Sequence, residues 1–274
     1  MFLALDCLKF YKLKSEVVAR SLFVILYVFL VLFTAFPIGE QPDIQAILVL
    51  IQSGELKDFP SVTPANIYYA LSFLGFSMLT AFFSVIYATC FIAEKDGFPA
   101  RKGIIDSVRK IPSLIVFVLI LIVPAMISAI FAFIPLIYLY YSLFVAAVLI
   151  TEGKQSLFSA MSESFRYTKG YKLNIFFTQM VVYFAVNIPM SIFEALFIFQ
   201  GQSESLAANL VLSFIRAARI LITGRLVGNY YLILVKNRKD VLSVPVPDEG
   251  RYPDIRDDSD NSEEDVDEDK EDEH

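Results

Sequence analysis

The stretch Ser113–Ile150, SLIVFVLILIVPAMISAIFAFIPLIYLYYSLFVAAVLI, holds 38 residues without a charged side chain. One helix of that length would measure about 57 Å at about 1.5 Å per residue, nearly twice the roughly 30 Å hydrocarbon core of a bilayer. We therefore predict two membrane-crossing helices joined by a tight turn around Phe131–Pro135. Pro135 then falls in the first turn of the second helix, where proline is tolerated.

Further apolar blocks extend this interpretation to the whole chain. They are Ser21–Phe36, Ala65–Ala93, Leu173–Phe199 and Leu206–Val235, the last of which contains three arginines. Hydrophobic residues make up 56% of the 274 residues, which is too much apolar surface for a chain surrounded by water. The predicted fold class is an all-α, polytopic membrane bundle of six transmembrane helices, at about residues 18–37, 65–93, 113–132, 134–151, 173–199 and 207–235.

Basic residues cluster in the segments that six spans place on one side of the membrane. Those segments contain Lys9, Lys12, Lys14, Arg20, Arg109, Lys110, Arg166, Lys169, Lys236 and Arg238, among others. In the loops on the opposite side, Lys57 is the only basic residue. Because cytoplasmic loops are enriched in Lys and Arg, we predict that both termini are cytoplasmic.

The chain ends in an acidic segment that differs from the rest. Asp248–His274 carries 15 of the 29 acidic residues but only 3 of the 23 basic ones, so the remaining chain is net basic. Dense like charge with few apolar residues cannot form a core. We predict a membrane domain over residues 1–243 and a disordered cytoplasmic tail over residues 244–274. The tail either keeps this end solvated, or it binds a basic cytoplasmic protein or the basic loops of the same chain.

The two long cytoplasmic loops resemble each other. Glu94 precedes the motif Asp106-Ser107-Val108-Arg109 much as Glu152 precedes Glu163-Ser164-Phe165-Arg166. Apolar residues at helical spacing predict a short amphipathic interfacial helix in each loop, with Ile104, Val108 and Ile111 in the first and Leu157, Met161 and Phe165 in the second. The basic residues Arg109, Lys110, Arg166 and Lys169 would face lipid headgroups. The loops are either ordinary interfacial helices or a trace of a duplicated two-span unit.

The second loop and the span before it resemble a known family. The residues concerned are Ile134-Pro135-Leu136-Ile137-Tyr138, Val148-Leu149-Ile150-Thr151-Glu152-Gly153-Lys154, Ala160 and Ser164-Phe165-Arg166-Tyr167-Thr168-Lys169-Gly170. They are similar to the six-span membrane domain that precedes some glycerophosphodiester phosphodiesterase catalytic domains, and to its stand-alone prokaryotic relatives without assigned function. The resemblance implies six spans in a bacterial or archaeal plasma membrane. It does not imply catalysis, because this sequence contains no soluble barrel with metal-binding carboxylates and histidines.

Few ionisable residues lie inside the predicted spans, where such residues are costly unless they are paired or functional. Counted at about 1.5 Å per residue, Glu194 in span five and Arg216 and Arg219 in span six lie at similar depth near the outer boundary. We expect an ion pair between Glu194 and either Arg216 or Arg219. Asn187 lies on the same helical face as Glu194, two turns earlier.

Arg225 lies deeper, about 16 Å from Lys236 at about 1.5 Å per residue. No acidic residue falls in an apolar block at that depth, so we expect Arg225 to lack a carboxylate partner. It is then satisfied by hydroxyls and carbonyls, or it binds a lipid phosphate or another anionic substrate. The candidate contacts for lipid or substrate are Arg225, Arg216, Arg219, Glu194 and Asn187. The nearby Gly224-x-x-x-Gly228 predicts close packing against another span, in this chain or in a second copy.

The residue types present argue against catalysis. The single histidine, His274, lies in the predicted tail, and no phosphate-binding glycine loop, nucleophile elbow or pair of intramembrane aspartates occurs. We expect a non-enzymatic membrane protein, without a cofactor or a nucleic acid partner, that acts in envelope or lipid homeostasis through contacts with anionic membrane lipids. The alternatives are a transporter or permease component, and a scaffold that recruits a partner through its acidic tail.

Overall fold

The structure, a computed structural model, describes residues 2–35, 63–130, 134–153, 156–201 and 205–237. Within these ranges the chain forms helices joined by turns and contains no strand, which confirms the predicted all-α class. Residues 131–133 of the predicted tight turn and the acidic tail 244–274 lie outside the described residues.

The described part of the chain contains ten α-helices, the last of which continues into a π-helical turn. They are α1 Phe2–Cys7, α2 Glu16–Ala35, α3 Pro64–Lys95, α4 Ala100–Arg109, α5 Ile111–Ile130, α6 Ile134–Ser142, α7 Ala146–Glu152, α8 Leu157–Thr168, α9 Lys172–Phe199 and α10 Leu206–Tyr231, followed by the π-helical turn Leu232–Lys236.

Five segments among the described residues are long and apolar enough to cross a membrane. They are Glu16–Thr34, Pro64–Lys95, Ile134–Glu152, Lys172–Phe199 and Leu206–Lys236. A sixth is reached if Ala100–Arg109 and Ile111–Ala125, which meet at a 59° bend, are taken as one span. The block Ser113–Ile150 is divided among three helices, α5, α6 and α7, and Pro135 lies in the first turn of α6 as predicted. The six-span count and the orientation stay predictions.

α10 is the central helix of the bundle and packs against α1, α2, α3 and α9. Its closest approach is to α3 and depends on two glycines. A Cβ at Gly224 would overlap the Ser84 carbonyl, and one at Gly228 would lie 2.8 Å from the Phe91 Cδ1. The predicted close packing at these glycines is therefore confirmed, and the helix that they contact is α3 of the same chain.

The two predicted loop helices are present as α4 and α8, and each packs on the span before it through small residues. Ser107 on α4 is buried and hydrogen-bonds the Thr89 hydroxyl at 2.7 Å. The equivalent Ser164 on α8 is buried and donates to the Ser142 carbonyl at 2.9 Å. On α4 small residues make this contact, and Val108 of the apolar stripe is half exposed.

The basic residues of the two loops have different surroundings. Arg109, Arg166 and Lys169 are exposed, as an interfacial role requires. Lys110 is half-buried, and its side chain packs beside Gly153, where an added Cβ would lie 2.9 Å from the lysine Cε. α8 ends at Thr168, and Gly170 just beyond it takes a left-handed φ of 85°, a conformation that glycine often adopts after a helix.

Candidate functional site

Arg225 is buried in the bundle, with 5% of its surface exposed. Its guanidinium donates to the carbonyls of Lys9 at 2.9 Å and Lys12 at 3.1 Å, and it forms an ion pair with Asp6 at 3.3 Å. The expectation that Arg225 lacks a carboxylate partner is therefore wrong. That expectation was based on the acidic residues within the apolar blocks, and Asp6 lies outside them. Asp6 reaches Arg225 because α1 folds back against α9 and α10.

Further polar contacts fix the segment after α1 to the bundle. The Glu94 carboxylate accepts hydrogen bonds from the amides of Lys14 at 2.7 Å and Ser15 at 2.8 Å. The Tyr87 hydroxyl donates to the Phe10 carbonyl. These contacts satisfy backbone groups just before α2, which would otherwise be costly to bury. The Arg225 guanidinium is one member of this network, so the role of Arg225 is structural.

Arg219, six residues earlier on α10, has a different environment. Its Nη1 donates to the Asn187 Oδ1 at 3.1 Å, and its Cζ lies 5.7 Å from the centre of the Tyr183 ring. Among the described residues, Arg219 forms no ion pair with a carboxylate. Neither predicted pair, Glu194 with Arg216 or Glu194 with Arg219, is formed.

The register of α9 against α10 explains why Glu194 pairs with neither arginine. The helices are antiparallel, and Asn187 contacts Arg219, so each later residue of α9 faces an earlier residue of α10. Glu194, seven residues after Asn187, is therefore level with Leu212, about one turn beyond Arg216. Counting depth from the helix ends missed this offset. The Glu194 side chain lies on an exposed part of α9 instead.

Arg219 borders a cavity of about 500 Å³ that lies between α3, α5, α10 and the pair α6–α7. The walls are mainly apolar, with Phe117 and Leu139 as examples, while Tyr140 and Arg219 are among the polar residues at its surface. Sites for small molecules typically measure roughly 300–1,000 Å³. An apolar cavity with a guanidinium at its edge suits a ligand that has an apolar body and a negatively charged group.

Two buried polar atoms next to these groups, the Asn187 Nδ2 and the Gln179 Oε1, have no hydrogen-bond partner within the described part of the chain. The Gln179 amide nitrogen donates to the Tyr140 hydroxyl at 3.0 Å. Because a hydroxyl both donates and accepts, the Gln179 amide can hydrogen-bond Tyr140 through its nitrogen or, if turned over, through its oxygen. The Asn187 amide has one orientation, because its oxygen accepts from Arg219. A donor without an acceptor therefore lies beside the guanidinium, and both groups favour an anion.

The span that runs from α6 to α7 is interrupted beside this cavity. A turn at residues 143–145 separates the two helices, and its first two residues, Leu143 and Phe144, line the cavity. The Ser142 carbonyl before the turn accepts hydrogen bonds from Ser164 at 2.9 Å and Thr168 at 3.1 Å, both on α8. Interrupted helices at membrane depth occur where they line cavities or binding sites. The uninterrupted apolar pattern of residues 134–152 does not predict this break.

A second cavity, of about 350 Å³, lies between α3, α4 and α7. Its charged lining residues are Asp96, Lys102, Asp106 and Glu152. Asp96 pairs with Lys236, and the Lys102 ammonium lies 3.5 Å from the centre of the Phe98 ring. Its charged groups are thus partly compensated within the chain. Across the described ranges, no group of three or more His, Cys, Asp and Glu residues is arranged to hold a metal ion.

Sequence reasoning named Arg219 and Asn187 but missed Asp6, Tyr140 and Gln179. Asp6 is the one acid in the otherwise apolar α1, and Gln179 is an amide within a long apolar block. A lone polar residue in an apolar helix was thus the available signal. Tyr140 carries no such signal, because tyrosines are frequent throughout this chain.

Comparison with known proteins does not identify this site. No protein-family model, curated protein or solved structure matches the chain. The functional assignment therefore depends on the geometry of the two arginines and of the cavity.

Proposed function

We propose that this chain is a non-enzymatic integral membrane protein that binds an anionic lipid within its helical bundle. The Arg219 guanidinium and the Asn187 amide bind the acidic headgroup, and the apolar cavity holds part of the lipid's hydrocarbon. One observation carries the proposal: at the edge of an apolar cavity of about 500 Å³ lies a guanidinium that meets no carboxylate among the described residues.

The energetics of a charge at membrane depth support this proposal. An ionised side chain in a span is costly unless another group compensates it. For Arg225 the chain itself supplies that group, because Asp6 and two backbone carbonyls meet it. For Arg219 the described residues supply an amide oxygen and the Tyr183 ring, but no carboxylate. A lipid phosphate supplies the missing negative charge and accepts the forked hydrogen bonds that a guanidinium offers.

The proposal includes a cellular setting. The protein crosses a bacterial or archaeal plasma membrane six times with both termini in the cytoplasm, and it acts in envelope or lipid homeostasis. The resemblance to the glycerophosphodiester phosphodiesterase membrane domain favours this setting. The exposed Arg109, Arg166 and Lys169 beside the interfacial helices add contacts with anionic headgroups.

Thermal unfolding of delipidated protein tests the proposal. Phosphatidylglycerol added to protein in a neutral detergent should raise the Tm of the wild type by about 5 °C near saturation, because a ligand that binds only the folded state stabilises it. Arg20→Gln removes an exposed arginine on α2 that pairs with Glu16, and it serves as the matched control. The control should keep the shift and Arg219→Gln should lose it. An equal shift in all three proteins would overturn the proposal.

A second candidate function is a transporter or permease component that moves such a lipid across the bilayer. The break at residues 143–145, which borders the cavity, favours it. In liposomes with a fluorescent phosphatidylglycerol, a transporter should expose inner-leaflet label to an external quencher faster than the Arg219→Gln protein does. Equal rates would remove this candidate while leaving the binding function intact. Recruitment of a basic protein by the tail stays a prediction for residues outside the described ranges.

A further inference from the structure

Arg216 lies on the side of α10 that faces the cavity. Residues Arg216, Ile220, Thr223 and Val227 follow one another at i, i+4, i+7 and i+11, which places them on one face of the helix. The last three line the cavity. Arg216 therefore stands one turn beyond the cavity lining, at the end nearer the connection between α9 and α10.

Arg216 and Arg219 are separated by three residues, so their side chains are neighbours on the helix surface. Like charges at this spacing destabilise each other. Arg216 is half-buried, and within the described ranges it forms no ion pair, because Glu194 lies level with Leu212. The two arginines thus extend from neighbouring positions of α10 near one end of the cavity, and an anion bound between them would relieve their repulsion.

We infer that Arg216 and Arg219 together form a site for a dianionic headgroup, namely a terminal phosphate monoester on a lipid. This inference rests on the proposed function and names the headgroup class. A phosphate monoester carries about −1.5 to −2 charges near pH 7, whereas a phosphate diester carries one. Each guanidinium offers a planar pair of donors, and a terminal phosphate has three free oxygens with which to meet both. A diester has two free oxygens, and one guanidinium is sufficient for it.

Lipid competition measured by native mass spectrometry tests this inference. The protein is released from nanodiscs that contain phosphatidic acid, a monoester, and phosphatidylglycerol, a diester, in equal amounts and with identical acyl chains. Wild type should retain phosphatidic acid in roughly tenfold preference, the size expected of one charge-assisted contact. Arg216→Gln should reduce that ratio to near one while phosphatidylglycerol retention stays unchanged. Arg216→Lys keeps the charge and should keep part of the preference.

The variants separate failure of this inference from failure of the proposed function. If Arg219→Gln loses both lipids while Arg216→Gln keeps the wild-type ratio, the dianion site is overturned and the lipid site stands. If Arg219→Gln retains both lipids as wild type does, the proposed function is overturned, and this inference with it. The Arg20→Gln protein should match wild type in both lipids, which shows that loss of one arginine charge has no general effect.

Discussion

Arg225 and Arg219 lie on the same helix, about 9 Å apart along its axis at about 1.5 Å per residue, yet they differ in what surrounds them. Arg225 is enclosed by a carboxylate and two carbonyls that a distant part of the chain supplies. Arg219 has an amide oxygen, an aromatic ring and a cavity. A charge inside a span therefore does not by itself mark a functional site. What distinguishes the two arginines is whether the fold supplies the opposite charge.

The largest effect on stability is expected for Arg225→Gln. The change removes a buried cation and leaves Asp6 and two carbonyls without their partner. Because the Asp6 side chain is 42% exposed and is partly solvated, we expect a loss of about 2–3 kcal/mol in the free energy of unfolding, at the lower end for buried pairs. Denaturant unfolding in micelles measures it. Arg219→Gln should change stability by less than about 0.5 kcal/mol, and equal losses would remove the distinction.

The next effect concerns the contact that places Arg225 against α3. A Cβ at Gly224 would overlap the Ser84 carbonyl, so Gly224→Val should force α10 away from α3 and cost about 1–3 kcal/mol. The matched control is Gly75→Val in the same bundle, because no atom lies within 4 Å of a Cβ added at Gly75. Thermal unfolding of both variants checks this. A Gly224→Val protein as stable as the control would contradict the close packing.

Asn187→Asp should make the Arg219 site resemble the Arg225 site. The new carboxylate has nearly the same shape as the amide. Its oxygen would take the place of the Asn187 Oδ1, which lies 3.1 Å from the Arg219 Nη1, and would form an ion pair with the guanidinium. Because the anion site is then filled from within the chain, retention of phosphatidylglycerol should fall by roughly tenfold, the scale of one charge-assisted hydrogen bond. Native mass spectrometry measures the retention. Unchanged retention would show that the ligand does not use this guanidinium.

The smallest effect is expected where the segment after α1 is fixed to α3. Glu94→Gln weakens the hydrogen bonds from the Lys14 and Ser15 amides, at a cost of about 1 kcal/mol, and should increase local opening about fivefold. Cys7 reports this opening, because it is buried and burial raises the pKa of its thiol to about 11. Maleimide labelling of Cys7, read by peptide mapping, should be slow in wild type and about fivefold faster in the variant. Equal rates would show that Glu94 does not hold this segment.

The helical framework could be predicted from the sequence, because each signal lies within a short stretch. Length and apolarity predicted the helices, the position of Pro135 indicated the division of Ser113–Ile150, and Gly224-x-x-x-Gly228 indicated the close packing. The resulting helix ends lie within a few residues of the predicted ones. Such features depend on neighbours along the chain, which a single sequence displays.

The site was harder to predict because it depends on how distant segments meet. The contact between Asp6 and Arg225 joins residues 219 positions apart, and no periodic pattern connects them. The expected pairing of Glu194 failed because depth counted from helix ends ignores the offset between α9 and α10. A shift of about one turn is enough to move the Glu194 carboxylate from the level of Arg216 to that of Leu212. The cavity arises from four separate elements, none of which indicates it alone.

The most direct test of the central claim is native mass spectrometry of wild type and Arg219→Gln, each released from nanodiscs that contain phosphatidylglycerol and a neutral lipid. The account predicts that wild type retains phosphatidylglycerol and that Arg219→Gln does not, while both proteins unfold at the same denaturant concentration. Retention of the same amount of phosphatidylglycerol by both proteins would contradict the claim that Arg219 is the ligand-binding arginine.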